Sequence, residues 1–282
     1  MKILSILVLF FAVLNSNAQP FGSLEQLKTR FPDQPIVYIL KDENIDIKND
    51  KAGLVIIKHV KEQMMIMNES AKNFKTRSVF ASSFIEIKNI KAFNYIKNGN
   101  KYTKTLIDNI KVNDSNSDGV FYDGSKKLTI TYNNSEPGSV FELEYDEVYL
   151  EPRFFGSFYL TENYPVIKAN CTINCPNSVK LNIKNFNLTN LKIKSTEKPA
   201  KNSIIYNWTI DSLKEYKYEE YGPDYRSLAG YKLFNIEEYT KDGTTIPLVG
   251  TVNNLYKWYR GLVKNKQNTF PSFKNDNRQF DC

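Results

Sequence analysis

Histidine and cysteine are scarce in this sequence, with one and three copies among 282 residues. A cysteine or serine nucleophile is usually activated by a nearby base, which a third group orients. The single histidine, His59, lies inside a predicted strand, and no nucleophile or orienting acid can be recognised beside it. We therefore predict that His59 is a packed or half-exposed sheet residue and that this chain is not an enzyme.

The cysteines leave one question open. An oxidising compartment would favour a disulfide between Cys171 and Cys175. If residues 166–175 form one extended strand, however, the two Cα atoms lie about 13 Å apart at ~3.3 Å per residue, which is too far for a bridge. A turn at residues 172–174 would allow it. Cys282 is terminal and is expected to be free, and the absence of a histidine near the pair argues against zinc.

Long apolar runs are also missing after the first residues, and no later segment approaches the ~20 residues of a transmembrane helix. Lys2, the apolar residues 3–14 and the small residues 16–18 have the order of a secretory signal peptide. Cleavage after Ala18 would leave Gln19 first, and an uncleaved membrane anchor is the alternative. We predict an exported protein, periplasmic or extracellular, with no transmembrane segment after cleavage.

The formal net charge is +7, from 38 basic and 31 acidic residues. A nucleic-acid-binding protein gathers such charge on one face or in one run. Here lysines are interleaved with acidic residues, as in residues 58–62 and 214–220. We therefore predict no nucleic-acid partner.

Alternation of apolar and polar residues is the dominant pattern. Residues 84–93, 126–132 and 140–145 alternate as strands with one buried face. The Asn98-Gly99 pair and the segment 136–138 predict tight turns between strands. Further strands are predicted at residues 35–40, 44–48, 54–67, 154–160, 166–173, 179–183, 191–194, 203–210 and 234–239, with a loop or turn at 68–77. Short strands without alternating helices indicate an all-β fold, a large antiparallel β-sandwich.

Helices are predicted only at the two ends. Ser23-Leu24-Glu25-Gln26 has the form of a capping box and predicts a short helix to about residue 31. Apolar residues at helical spacing from Val252 to Val263 predict an amphipathic helix with Thr251 as its cap. The predicted segments are a signal peptide (1–18), the β-sandwich domain (19–249), a linking amphipathic helix (250–264) and a disordered tail (265–282).

Several of these segments resemble a known family. The segment 136–145, the Tyr206-Asn207-Trp208 triplet and the Leu255-Tyr256-Lys257-Trp258-Tyr259 run, in this order, resemble the domain of unknown function 3857 over residues 32–264. In that family a β-rich domain precedes a transglutaminase-like domain in exported proteins, many from Bacteroidota. No residue here matches the catalytic Cys, His and Asp of such a domain. The resemblance therefore implies a non-catalytic companion domain, with Leu255, Tyr256, Trp258 and Tyr259 on the helix that leads toward the partner.

Two further patterns are typical of binding sites. Asp114, Asn116 and Asp118 match the first half of a calcium loop, but Ser125 stands where the bidentate Glu is expected, so a polar turn is the alternative. Aromatic clusters could stack on sugars or fill the core; they are Phe154, Phe155, Phe158 and Tyr159, and Tyr216, Tyr218, Tyr221 and Tyr225. No cofactor is predicted.

Three functions remain open. The first is an exported, non-catalytic β-sandwich that binds or scaffolds a protein partner, a transglutaminase-like domain. The second is the N-terminal part of a transglutaminase-like cysteine enzyme whose catalytic half is missing. The third is a module that binds cell-envelope glycan.

Overall fold

The computed structural model describes residues 21–264 except 52, 100, 116–123, 134, 218–221, 223 and 250. The predicted signal peptide and C-terminal tail therefore lie outside the described residues. The helices are α1 (Leu24–Arg30), α2 (Tyr225–Leu228) and α3 (Val252–Val263), with 3-10 helices at Glu69–Lys75 and Pro152–Phe154. The strands are β1 (Ile36–Asp50), β2 (Gly53–Ile66), β3 (Thr76–Ala81), β4 (Ile85–Asn98), β5 (Lys101–Ile107), β6 (Ile110–Asp114), β7 (Lys126–Thr131), β8 (Val140–Tyr149), β9 (Ser157–Tyr159), β10 (Val166–Pro176), β11 (Val179–Phe186), β12 (Ile193–Pro199), β13 (Ser203–Leu213), β14 (Tyr231–Lys241) and β15 (Thr244–Pro247).

The strands form one large and two small sheets, which confirms the all-β fold. The large sheet has eight strands in the order β12-β13-β10-β1-β2-β8-β4-β5. A four-stranded sheet contains β11, β14, β15 and β9, and a three-stranded sheet has the order β3-β7-β6. Neighbouring strands are antiparallel with one exception in the described part of the chain, the parallel pair of β1 and β10.

The large sheet buries one face, here called the inner face. Along β10 the buried residues Cys171 and Ile173 alternate with the half-buried Thr172 and Asn174, because successive side chains of a strand point to opposite faces. The two small sheets pack over the inner face, and core residues from all three sheets form one cluster. Trp208 of β13, for example, stacks on Phe234 of β14 with ring centroids 5.6 Å apart.

The opposite face, here called the outer face, is covered at one corner by the N-terminal segment. Phe21 and Leu24 pack there against Val37, Met65 and Val140. The rest of this face carries mainly polar side chains. Helix α1 is confirmed, but its capping box is not formed: the Ser23 hydroxyl donates to the Glu25 carboxylate, 2.6 Å away, and makes no bond to a helix N–H.

Two predictions about the first part of the β domain were wrong. The strands expected at residues 35–40 and 44–48 are one strand, β1, with a bulge between Tyr38 and Leu40. The polar residues between them stay in the sheet because Lys41 and Glu43 find charged partners on β2. Residues 68–77, expected to be a loop or turn, form a 3-10 helix and the start of β3. The predicted turns at Gly99 and Gly138 are confirmed, and both glycines have the positive φ such turns need.

Candidate functional site

Helix α3 begins at a capped N-terminus, as predicted. The Thr251 hydroxyl oxygen accepts a hydrogen bond from the Asn254 N–H over 3.3 Å. Such a bond satisfies one of the N–H groups that the first turn leaves without a helical partner. The Thr251 cap thus sets where α3 begins. The position of α3 on the domain depends on one other side chain.

That side chain is Trp258. Its Nε1 donates a hydrogen bond to Glu151 Oε2 over 2.9 Å. Its ring meets Phe154 edge to face with centroids 5.9 Å apart, and the Arg153 guanidinium lies 5.3 Å from the ring. Arg153 also pairs with Glu151 at 2.9 Å. Trp258 therefore anchors α3 to the 3-10 turn that follows β8.

The apolar stripe of α3 is left in solvent. None of the helix residues is buried. Val252 is 83% exposed, Tyr256 and Tyr259 are each 58% exposed, and Leu255, Leu262 and Val263 are exposed as well. We call these six residues the α3 apolar face. Of the four residues predicted to face a partner, Leu255, Tyr256 and Tyr259 thus belong to this face, whereas Trp258 is used within the chain.

Large apolar side chains are also exposed in the segments next to α3. Leu150 is 53% exposed, and Phe154 and Val249 are 41% exposed. Phe154 stacks on Phe84 with centroids 4.5 Å apart, which fixes its ring. Exposed apolar residues grouped in this way often mark a surface that another protein covers.

The calcium candidate is only partly described. Asp114 ends β6, whereas Asn116 and Asp118 lie outside the described residues. Within the described ranges, no group of three or more His, Cys, Asp or Glu side chains could hold a metal ion.

Cys171 and Cys175 are free and buried. Both lie on the single strand β10 and share the inner face with Ile173, the arrangement expected if the segment is one extended strand. Burial raises the pKa of the Cys175 thiol to about 11 and that of Cys171 well above its ordinary value. A thiol with a raised pKa and no exposure is a poor nucleophile.

His59 lies on the outer face and has an acid partner that the sequence did not reveal. Its Nδ1 is 2.6 Å from Asp146 Oδ1, and Asn89 Nδ2 donates to Asp146 Oδ2 over 2.6 Å. Partial burial acts to raise the pKa of Asp146, but the hydrogen bonds from Asn89 and His59 outweigh it and lower that pKa. Asn89 reaches Asp146 from a bulge of β4 where its φ is 52°.

The inner face carries a group of ion pairs among the core residues. Lys58 Nζ lies 2.8 Å from Glu147 and 3.8 Å from Glu43. Burial alone would lower the pKa of Lys58, but the neighbouring carboxylates raise it well above its usual range. Burial raises the pKa of Glu43, and its Oε2 accepts no hydrogen bond from the described residues.

A second group of ion pairs lies beside the first. Lys41 pairs with Glu62 at 3.5 Å and with Glu162, and Arg77 of β3 donates to Glu62. Glu62 therefore joins the three-stranded sheet to the large one. This arrangement helps to fix how the two sheets pack.

The described members of the two aromatic clusters do not form a shared platform. Phe155 and Phe158 are buried in the core, Tyr218 and Tyr221 lie outside the described residues, and the side chain of Tyr225 is likewise not described. Tyr159 instead joins a row with Tyr231 and Phe186, with centroids 5.4 and 4.7 Å apart. Because these rings turn their faces toward one another, few ring faces are left for a sugar.

Comparison with known proteins gives a family and a fold. The model of the family described as a domain of unknown function with a solved structure, DUF3857, matches residues 57–217. A crystal structure from Parabacteroides distasonis, described provisionally as a protease, is similar with a TM-score of 0.60 and 14% identity. That similarity covers 71% of this chain and 40% of the other.

A more distant similarity is to native leukotriene A4 hydrolase from Saccharomyces cerevisiae. It has a TM-score of 0.36 and 9% identity, and covers 77% of this chain and 33% of the hydrolase. No curated protein matches the sequence. Among the described helices, none is long and apolar enough to cross a membrane.

Proposed function

This chain belongs to the DUF3857 family, and from that premise we propose that it is an exported, non-catalytic β domain that binds a transglutaminase-like partner domain through the α3 apolar face. The observation that carries the proposal is the way α3 is held. Trp258 anchors one edge of the helix, while Leu255, Tyr256 and Tyr259 stay in solvent.

The marginal stability of a short exposed helix supports a partner that covers α3. An isolated helix of fewer than ~12–15 residues is marginal in water, and α3 has 12 residues with one docked side chain. Fully burying a large apolar side chain contributes ~1.5–3 kcal/mol. Amphipathic helices that bind a groove present anchors at i, i+3, i+4 and i+7. Val252, Leu255, Tyr256 and Tyr259 have this spacing.

The non-catalytic part of the proposal rests on sheet geometry. Cys171 pairs with Glu43 of β1, whereas His59 pairs with Asn44, the next residue of β1. Since neighbouring residues of a strand point to opposite faces, the cysteine and the histidine lie on opposite sides of the sheet. They cannot act as nucleophile and base for one substrate.

The alternative is that the chain is the N-terminal part of a transglutaminase-like cysteine enzyme. The Parabacteroides protein supports this alternative, because the similarity to this chain covers 40% of that protein's length. In both cases the α3 apolar face contacts a catalytic domain. They differ in whether that domain is on another polypeptide.

A photo-crosslinking experiment in the native host tests the proposal. A benzoylphenylalanine in place of Tyr259 is expected to crosslink to a protein with a transglutaminase-like Cys, His and Asp set. The control is the same substitution at Phe80, which is 58% exposed on β3. Crosslinks to a separate polypeptide support the proposal, crosslinks within one longer polypeptide support the alternative, and equal products from both positions contradict both.

A further inference from the structure

A cleft lies where the large sheet meets the four-stranded sheet. It has a volume of about 740 Å³. The end of β13 forms one wall, the segment before β12 another, and the residues after β9 a third. Ligand pockets in proteins commonly measure ~300–1,000 Å³.

The floor of the cleft is apolar. Leu160, Ile210 and Leu213 are buried, and Leu191 is half-buried beside them. Tyr216 adds an aromatic ring to the lining and is tied to the chain by its N–H, which donates to the Glu162 carbonyl over 2.7 Å.

The rim is polar and carries two unpaired cations. Lys192 and Lys214 line the cleft and form no ion pair or hydrogen bond with the described residues. Asp211, by contrast, is neutralised by Lys194, whose Nζ lies 2.6 Å from its carboxylate. Among the described lining residues, Lys192 and Lys214 stand against one further carboxylate, that of Glu215, so the described part of the rim is positive.

One rim residue has an unusual backbone. Ser212 has a φ of 71°, in the left-handed region that non-glycine residues rarely adopt. It lies between Asp211 and Leu213 in the wall of the cleft. Residues in such sparsely populated backbone regions cluster at active sites and ligand-binding sites.

We propose that this cleft binds an acidic saccharide, a sugar that carries a carboxylate. A pyranose ring has an apolar face for the leucine and tyrosine lining and a hydroxyl edge for the polar rim. The carboxylate of a uronate would pair with the positive charges of Lys192 and Lys214. A purely apolar ligand would use only the floor of the cleft, and a neutral sugar would bring no counter-charge to Lys192 and Lys214.

Calorimetry with two defined sugars tests this proposal on the purified protein. Tetragalacturonic acid is the acidic probe, and maltotetraose is the neutral probe. We expect the acidic sugar to bind at least about tenfold more tightly and to lose affinity as salt is raised. Equal affinity for both sugars, or no binding of the acidic one, would overturn the proposal.

A matched pair of variants tests the location. Lys192→Ala/Lys214→Ala should weaken binding of the acidic sugar about tenfold or more. Lys198→Ala/Lys201→Ala removes the same charge from exposed positions outside the cleft and should change it less than about twofold. Equal weakening in both variants would mean general attraction to a basic protein and would overturn the site. Thermal melts establish that each variant is folded.

A Tyr256→Ala/Tyr259→Ala variant should bind the sugar normally, so this test is independent of the α3 proposal.

Discussion

Trp258 and Glu151 join helix α3 to the body of the protein through one hydrogen bond of 2.9 Å. The carboxylate that accepts this bond also pairs with Arg153, whose guanidinium lies over the Trp258 ring. Indole, carboxylate and guanidinium therefore hold one another in place. The helix is fixed along one edge, and its apolar face is turned to solvent.

The anchor can be tested by Trp258→Phe. This change keeps an aromatic ring but removes the N–H donor, and we expect the unfolding free energy to fall by ~1 kcal/mol. Amide exchange should accelerate more in α3 than in the core strands, because α3 also loses its local anchor. Tyr259→Ala, an exposed change on the same helix, should alter stability by less than ~0.5 kcal/mol. Equal effects of the two variants would show that Trp258 is not the anchor.

The ion pairs of the inner face should be sensitive to loss of one partner. Lys58→Met leaves Glu43 and Glu147 without their cation, and breaking a buried pair costs ~3–5 kcal/mol. Lys88→Met removes an exposed pair with Glu86 and should cost less than ~1 kcal/mol. Urea unfolding measures both. Adding Glu147→Gln to Lys58→Met should recover part of the loss, and a similar small loss in all variants would contradict the burial of the pairs.

Glu62 should contribute to the acid sensitivity of the fold. Burial alone would raise its pKa, but the charges of Lys41 and Arg77 lower that pKa below the ordinary 4.5. Because the folded value is lower than the unfolded one, Glu62 stabilises the fold above pH ~4.5 and loses this contribution as pH falls through the folded value.

Urea unfolding at about pH 7 and about pH 3 checks this linkage. The difference between the two free energies should be smaller for Glu62→Gln than for the wild-type protein. Glu197→Gln, an exposed change on β12, is the control and should keep the wild-type difference. An unchanged difference in Glu62→Gln would contradict the assignment.

The buried cysteines should be protected thiols. In a Cys282→Ser variant, which removes the cysteine outside the described residues, we expect almost no reaction with Ellman's reagent in the native state. Two thiols should react once the protein is unfolded in urea, because Cys171 and Cys175 are free and buried. Fewer than two thiols after unfolding would indicate a disulfide.

Local patterns predicted much of this fold, because alternation and turn residues act over a few positions. The strands near residues 84–93 and 140–145 and helix α3 follow from such patterns. The parallel pairing of β1 with β10 does not, since it joins segments more than 120 residues apart and leaves no local signal. The continuity of β1 was missed for a related reason: the partners of Lys41 and Glu43 are on another strand.

The environment of His59 was unpredictable for the same physical reason. Asp146 lies 87 positions away and meets His59 through the register of β2 with β8. Asn89 joins them from a bulge whose position no periodicity specifies. The helix pattern predicted an apolar face that needs a partner surface, but it did not predict that this face is exposed. The anchoring role of Trp258 could be seen only in the folded structure.

Hydrogen–deuterium exchange of α3 tests the α3 proposal most directly. The protein is tagged and isolated from its host in its native assembly, and the peptide that covers Val252–Val263 is compared with the same peptide of the purified chain. We predict exchange at least about tenfold slower in the assembly, because burying the α3 apolar face would stabilise the helix. Equal exchange in the two samples would contradict a role of this face in binding a partner.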